Sequence, residues 1–212
     1  MPNGAASLSC DDPGGWLEQN GVTIYAAVVP AAEEPLKAAL AEIAADLAVT
    51  GTPFSRSAFI HYARFVLIPE MPDPAGGTAP RALMYLADFD GPVGDHLDEI
   101  ADIAAGAFNR IGVFLEEPIP VTRFGRRAWL ADHVIEDQTY YVNTIGRTVR
   151  QIRCEQYLRE AVETFLDTLD TGGLTADTVR EKICDHLRGN PELQWALTPP
   201  PSDAGWRQRR TI

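Results

Sequence analysis

Two runs of this chain, FIHYARFVLIPE at 59–70 and RALMYLADFDG at 81–91, are apolar on both faces of an extended strand. Side chains alternate along a strand. The first run therefore sets Phe59, Phe65 and Leu67 on one side and Ile60, Tyr62, Val66 and Ile68 on the other. The second sets Leu83, Tyr85 and Phe89 against Ala82, Met84 and Leu86. An antiparallel sheet with one wet face alternates apolar with polar residues. Strands of this kind need cover on both faces, which two helices on one side do not supply.

The rest of the pattern says what surrounds these strands. VTIYAAVVP (22–30) is rich in β-formers and reads as a first strand. Leu36, Leu40, Ile43, Ala44 and Leu47 follow at helical spacing, with Glu33 and Glu34 at the positive N-terminal end. GTPFSRS breaks that helix, and PEMPDPAGGTAP separates the two doubly apolar strands. From Pro92 to about Phe114, Leu97, Ile100, Ala101, Ala104, Phe108 and Ile111 lie on one helix face, with Asp95, Asp98 and Glu99 opposite. After a long excursion with a short helix near Trp129, TYYVNTI (139–145) reads as a fourth strand. Thr148 and Gln151 form a capping box for a helix running to about Leu169. A second box, Thr178 to Glu181, opens a last helix to about Arg188. The order is β α β β α β with two C-terminal helices: an α+β, ferredoxin-like antiparallel sheet. The expected organisation is a loosely ordered segment 1–20, an α/β domain at 21–147, C-terminal helices at 148–190 packed on the same domain, and a disordered tail at 191–212.

Composition mainly excludes. A formal charge of −12 over 212 residues argues against nucleic acid and against anionic membranes, both of which are held by Lys and Arg. No apolar run approaches the ~20 residues that span a bilayer. Cys10, Cys154 and Cys184 are far apart and odd in number, so neither a disulfide framework nor a thiolate metal site is indicated. With no basic n-region followed by an apolar h-region at the N-terminus, a reduced cytoplasm is the default. GxGxxG, P-loop, HExxH and GxSxG motifs are absent, which removes nucleotide-dependent and serine-hydrolase readings.

The strand–helix order and doubly apolar sheet, over roughly residues 22–146, resemble the dimeric α/β-barrel superfamily. That group includes antibiotic-biosynthesis monooxygenases, small polyketide cyclases, stress-responsive barrel proteins and haem enzymes such as dye-decolourising peroxidases and chlorite dismutases. The resemblance is architectural; IHYAR, DFDG and NTIGRTVRQIR resemble segments of uncharacterised bacterial proteins. It implies a homodimer whose second sheet covers the free face. The C-terminal helices are the alternative cover.

The candidate site centres on two residues out of place in an apolar run. Arg64 needs an acidic partner or a polar cavity, since an unpaired buried guanidinium costs several kcal/mol. Asp88 and Asp90, on one face of the neighbouring strand, are the expected partners. His61, on the Phe59 and Phe65 side, is either a satisfied core residue or a general base. Tyr62, Tyr85, Tyr140 and Asn143 are candidate substrate contacts in an apolar cavity. His61 and Arg64 alternate to opposite faces, so one shared site requires a β-bulge. His96 reads as an exposed helix residue or, with His61, as a haem ligand. His186, near a helix C-terminus, reads as structural. Gly146-Arg147 opens a capped helix and reads as a solvated turn or an anion site. Three functions follow: a cofactor-independent enzyme that oxygenates, cyclises or isomerises an apolar or aromatic metabolite between sheet and helices; a haem oxidoreductase of the same fold; or a non-catalytic ligand-binding or dimerisation protein.

Overall fold

The computed structural model describes residues 10, 19–51, 53–136, 139–141 and 147–198. The protein is α+β and divides into two compact units, residues 18–142 and residues 1–17 with 143–212.

The first unit is built on a four-stranded antiparallel sheet. Its strands are β1 (Gln19–Ala27), β2 (Ile60–Ile68), β5 (Ala82–Asp90) and β6 (Val134–Ile135), in the order β2-β5-β1-β6. A separate small hairpin, β3 (Met71–Pro72) with β4 (Thr78–Ala79), fills the turn-rich stretch between β2 and β5. The fourth strand is therefore Val134–Ile135 and not the predicted 139–145. Residues 139–141 are outside any strand, and 142–145 lie outside the described residues. Val134 and Ile135 pair with Ile24 and Thr23 because β1 already has β5 along its other edge.

Helices α1 (Glu33–Thr50), α2 (Val93–Ile103), α3 (Ala105–Ile111) and α4 (Arg123–Asp132) complete this unit. The acidic start of α1 does more than meet the helix dipole: Glu33 binds Lys37 at 2.8 Å and Arg81 at 2.7 Å. Gly51 closes the helix in the left-handed region at φ 68°, its N–H donating to Leu47 O. The single helix expected over 92–114 is broken at Ala104, between α2 and α3. Thr122 caps α4 by accepting from the Gly125 N–H.

Helical periodicity places the core correctly. Leu36, Ile43, Leu97, Ile100, Ala101, Ala104, Phe108 and Ile111 are buried against Val22, Ile24, Ala26, Leu83, Tyr85, Ala87 and Phe89 of the sheet. Arg126 is buried and structural. Its Nη1 donates to Ala101 O at 2.6 Å, and its Nη2 donates to Asn109 Oδ1 at 3.0 Å and Val121 O at 2.8 Å. These bonds tie α4 to the carbonyls near the end of α2, and burial holds the guanidinium below its ordinary range.

The second unit contains α5 (Val149–Thr168) and α6 (Ala176–Arg188), followed by a 3-10 turn at Pro191–Leu197. Thr148 caps α5 as predicted, accepting from the Gln151 N–H at 3.1 Å; the Gln151 side chain turns forward to Glu155 instead of back. The cap of α6 is Thr175, not Thr178. Residues 191–197, assigned from sequence to a disordered tail, are ordered by Leu193, which is fully buried. The cysteine expectation also fails: Cys10 and Cys154 are joined by a disulfide across 144 residues, with Cα atoms 6.0 Å apart. Among the described residues, no helix is long and apolar enough to cross a membrane.

Candidate functional site

The helices cover the sheet face carrying Val22, Ile24, Tyr85, Ala87 and Phe89. The other face is lined in rows set by the register: Gly21, Asp88 and Tyr62 in one, Thr23, Leu86 and Arg64 in the next. Between these rows lies a cleft of about 360 Å3, bounded by Tyr62, Arg64, Leu86, Asp88, Thr23 and Tyr140. Tyr140 reaches back from beyond β6, its hydroxyl donating to Asp88 Oδ1 at 3.1 Å. The space expected to receive a metabolite, between sheet and helices, is packed instead. The cavity there, bordered by Phe65, Tyr85 and Phe108, is about 20 Å3, room for about one water.

Arg64 departs from expectation. It is exposed and lies opposite Leu86, and it makes no ion pair among the described residues. Asp88 accepts from Tyr140 and Asp90 is bound to His61, so neither serves as the predicted guanidinium partner.

The His61–Asp90 pair depends on a β-bulge. Ile60 lies opposite Phe89 and Tyr62 opposite Asp88, so His61 is an extra residue in β2. The bulge sends Ile60 into the core and takes His61 out of the alternation that would have placed it beside Ala63 and Phe65. Its Nε2 lies 2.8 Å from Asp90 Oδ1 and 3.3 Å from Gln19 Nε2. Gln19 and Asp90 face each other across β1 and β5, in the same alternation as Thr23 and Leu86. The imidazole is 12% exposed and the Asp90 side chain 1%. A carboxylate only accepts, so the Nε2–H donates to Asp90 Oδ1. His61 directly precedes Tyr62 and Asp90 lies two residues beyond Asp88, so the pair neighbours the cleft without lining it.

Tyr85 and His96 are elsewhere. Both are buried on the helix side, and His96 is not the exposed residue expected of it. Its ring stacks on Phe89 at 3.9 Å, and its Nε2 is 3.3 Å from the Tyr85 hydroxyl. These surroundings do not fit a haem: Phe89 covers one ring face, and the Tyr85 hydroxyl stands beside Nε2 where an iron would bind. The cleft near His61, rimmed by Arg64 and Asp88, is not an apolar haem slot either. Asn143 lies outside the described residues. Arg147, read as a possible anion contact, is paired with Glu155. Among the described residues, no three His, Cys, Asp or Glu side chains are grouped closely enough to hold a metal ion.

A polar cluster that sequence reasoning misses lies beneath the start of β2. Ser57, 1% exposed, accepts the N–H groups of Phe59 and Ile60 and donates to Glu99 Oε2 at 2.8 Å. Helical spacing alone puts Glu99 on the wet side of its helix. The available signal is a serine three residues before a strand, a position that favours side-chain bonding to the backbone. Burial raises the carboxyl of Glu99 and the phenol of Tyr85, and pushes the imidazole of His96 down from 6.5 to about 4.

A pH dependence of stability follows. Between about pH 4 and 6.5 the unfolded chain binds a proton at His96 and the folded chain does not. Stability therefore rises with pH through this window and is lost as pH falls toward 4, by ~3 kcal/mol from this residue. Glu99 acts oppositely above pH 4.5, where the folded state keeps its proton longer. His96→Gln should flatten the rise in urea midpoint between pH 4.5 and 7. An unchanged slope would remove His96 as its source.

Comparison with family models, with curated proteins and with solved structures finds no match to this chain.

Proposed function

We propose that the open-face cleft is a small-molecule site and that His61 is its proton-transfer group, in a domain of ferredoxin-like topology. The order β2-β5-β1-β6 supports that topology. The observation that carries the functional reading is the cleft itself. It brings together Tyr62, Arg64, Asp88 and Tyr140, which the sequence marks separately, and the bulge sets His61 and Asp90 beside it, next to Tyr62.

The chemistry is a base-assisted isomerisation or cyclisation of an apolar or aromatic metabolite. His61 Nδ1 takes a proton, and Asp90 orients the ring and stabilises the imidazolium that forms. Arg64, free of a carboxylate partner among the described residues, stabilises the developing oxyanion. Leu86 supplies the apolar floor.

Hydrogen exchange tests this without the natural substrate in hand. Small carbonyl-bearing aromatic compounds are incubated with the protein in D2O, and proton NMR follows wash-out of the hydrogen next to the carbonyl. Catalysed exchange that falls at least tenfold in His61→Gln, together with shifts of the Tyr62, Arg64 and Asp88 amides, is the expected result. Exchange equal to that in buffer, or unchanged in His61→Gln, would overturn the base assignment. Shifts that depend on protein concentration rather than on ligand, and that spread to Val66 and Met84, would assign this face to a second copy of the chain instead.

A further inference from the structure

Resting on the cleft being a ligand site, we infer that its ligand is a planar aromatic monocarboxylate with a hydrogen-bond donor across the ring. The cleft holds one cation and one anion apart. Arg64 lies opposite Leu86, and Asp88 lies opposite Tyr62, so the two are diagonal neighbours across β2 and β5. Diagonal positions are ~7 Å apart, within reach of a long side chain. Yet Arg64 forms no ion pair with Asp88, and the apolar Leu86 side chain lies beside both. Each charge is therefore available to a molecule lying over Leu86.

The chemistry of each end is distinct. A guanidinium takes a carboxylate through two parallel N–H bonds. Asp88 accepts from Tyr140 through Oδ1, and a carboxylate has further lone pairs for a second donor. Among the lining residues Asp88 balances the charge of Arg64, which disfavours a dianion such as a phosphate monoester and favours a monoanion. Toward the Asp88 end, Tyr62 is 76% exposed and Tyr140 45% exposed, two phenol rings bordering one cavity. Such rings stack on a flat apolar body. Gly21, beside Asp88 in the same row, leaves that part of the floor without a side chain.

Three probes separate the contributions: 4-hydroxybenzoate, with both ends; benzoate, lacking the donor; and phenol, lacking the carboxylate. Binding is followed by amide shifts and calorimetry on the full chain. The wild type should bind 4-hydroxybenzoate tightest. Arg64→Gln should weaken both carboxylates about tenfold and leave phenol unchanged. Asp88→Asn should bring 4-hydroxybenzoate down to the affinity of benzoate. Both side chains are exposed, and an unchanged amide spectrum away from the cleft verifies folding. Equal binding of all three probes in the cleft, or carboxylate binding indifferent to Arg64→Gln, would overturn this ligand class while leaving the cleft a ligand site. Absence of cleft shifts with any probe up to millimolar concentration would overturn both.

Discussion

Replacing Cys10 by Ser, or reducing its bond to Cys154, is expected to lower stability of the helical unit by about 3–5 kcal/mol. The bond closes a loop between residues separated by 144 positions, so the unfolded chain it restrains is long. Both half-cystines are buried, at 4% and 2% exposure. The third cysteine, Cys184 on α6, is free. Alkylation of unreduced, denatured protein should therefore label one thiol, and alkylation after reduction three. Urea unfolding with and without reductant should show the transition of residues 143–198 moving to lower denaturant. Three labelled thiols before reduction, or a shift below about 1 kcal/mol, would contradict the bond or its importance. A reducing cytoplasm would dismantle it, so the disulfide weighs against the compartment that the scattered cysteines imply.

Phe89→Ala is expected to cost about 3–5 kcal/mol, the range for emptying a fully buried aromatic site. Phe89 is completely buried in β5, stacked on the His96 ring. The substitution has a second consequence that a purely volumetric effect lacks. Removing the ring that covers His96 admits water beside a buried imidazole whose pKa lies near 4 because of that burial. Its titration, followed by the ring proton resonance, should move back toward 6.5. Loss of stability without movement of that titration would mean that other neighbours, Tyr85 among them, keep the imidazole dry. A cost under about 1 kcal/mol would mean that the surrounding core collapses to fill the space.

The haem reading meets the same packing. His96 faces Phe89 and Tyr85, whereas helical spacing alone leaves it beside acidic, solvent-facing neighbours. The difference arises because a helix position is exposed or buried only relative to the sheet it meets.

How far the sequence reaches can be followed residue by residue. The 3.6-residue period of Leu97, Ile100, Ala101, Ala104, Phe108 and Ile111 identifies the buried side of α2 and α3, because that period is a property of the local backbone. The cap at Thr148 is legible for the same reason. Alternation fails at a single residue. An extra position in β2 moves His61 from the expected core row to Asp90 and sends Ile60 inward, and no local pattern marks such a bulge. The two-residue β6 is equally hidden, since its strand character comes from the free edge of β1 and not from its own composition.

Sequence by itself determined the types of the long helices and of the first three long strands, the buried helix faces and the presence of a polar pair within an apolar strand. Only tertiary structure decided which acid met which base, which face of the sheet held a cleft, and that Cys10 would find Cys154. Those outcomes depend on register and on contacts between residues far apart in the chain, where each side chain is free to choose among several partners until the backbone brings one within reach.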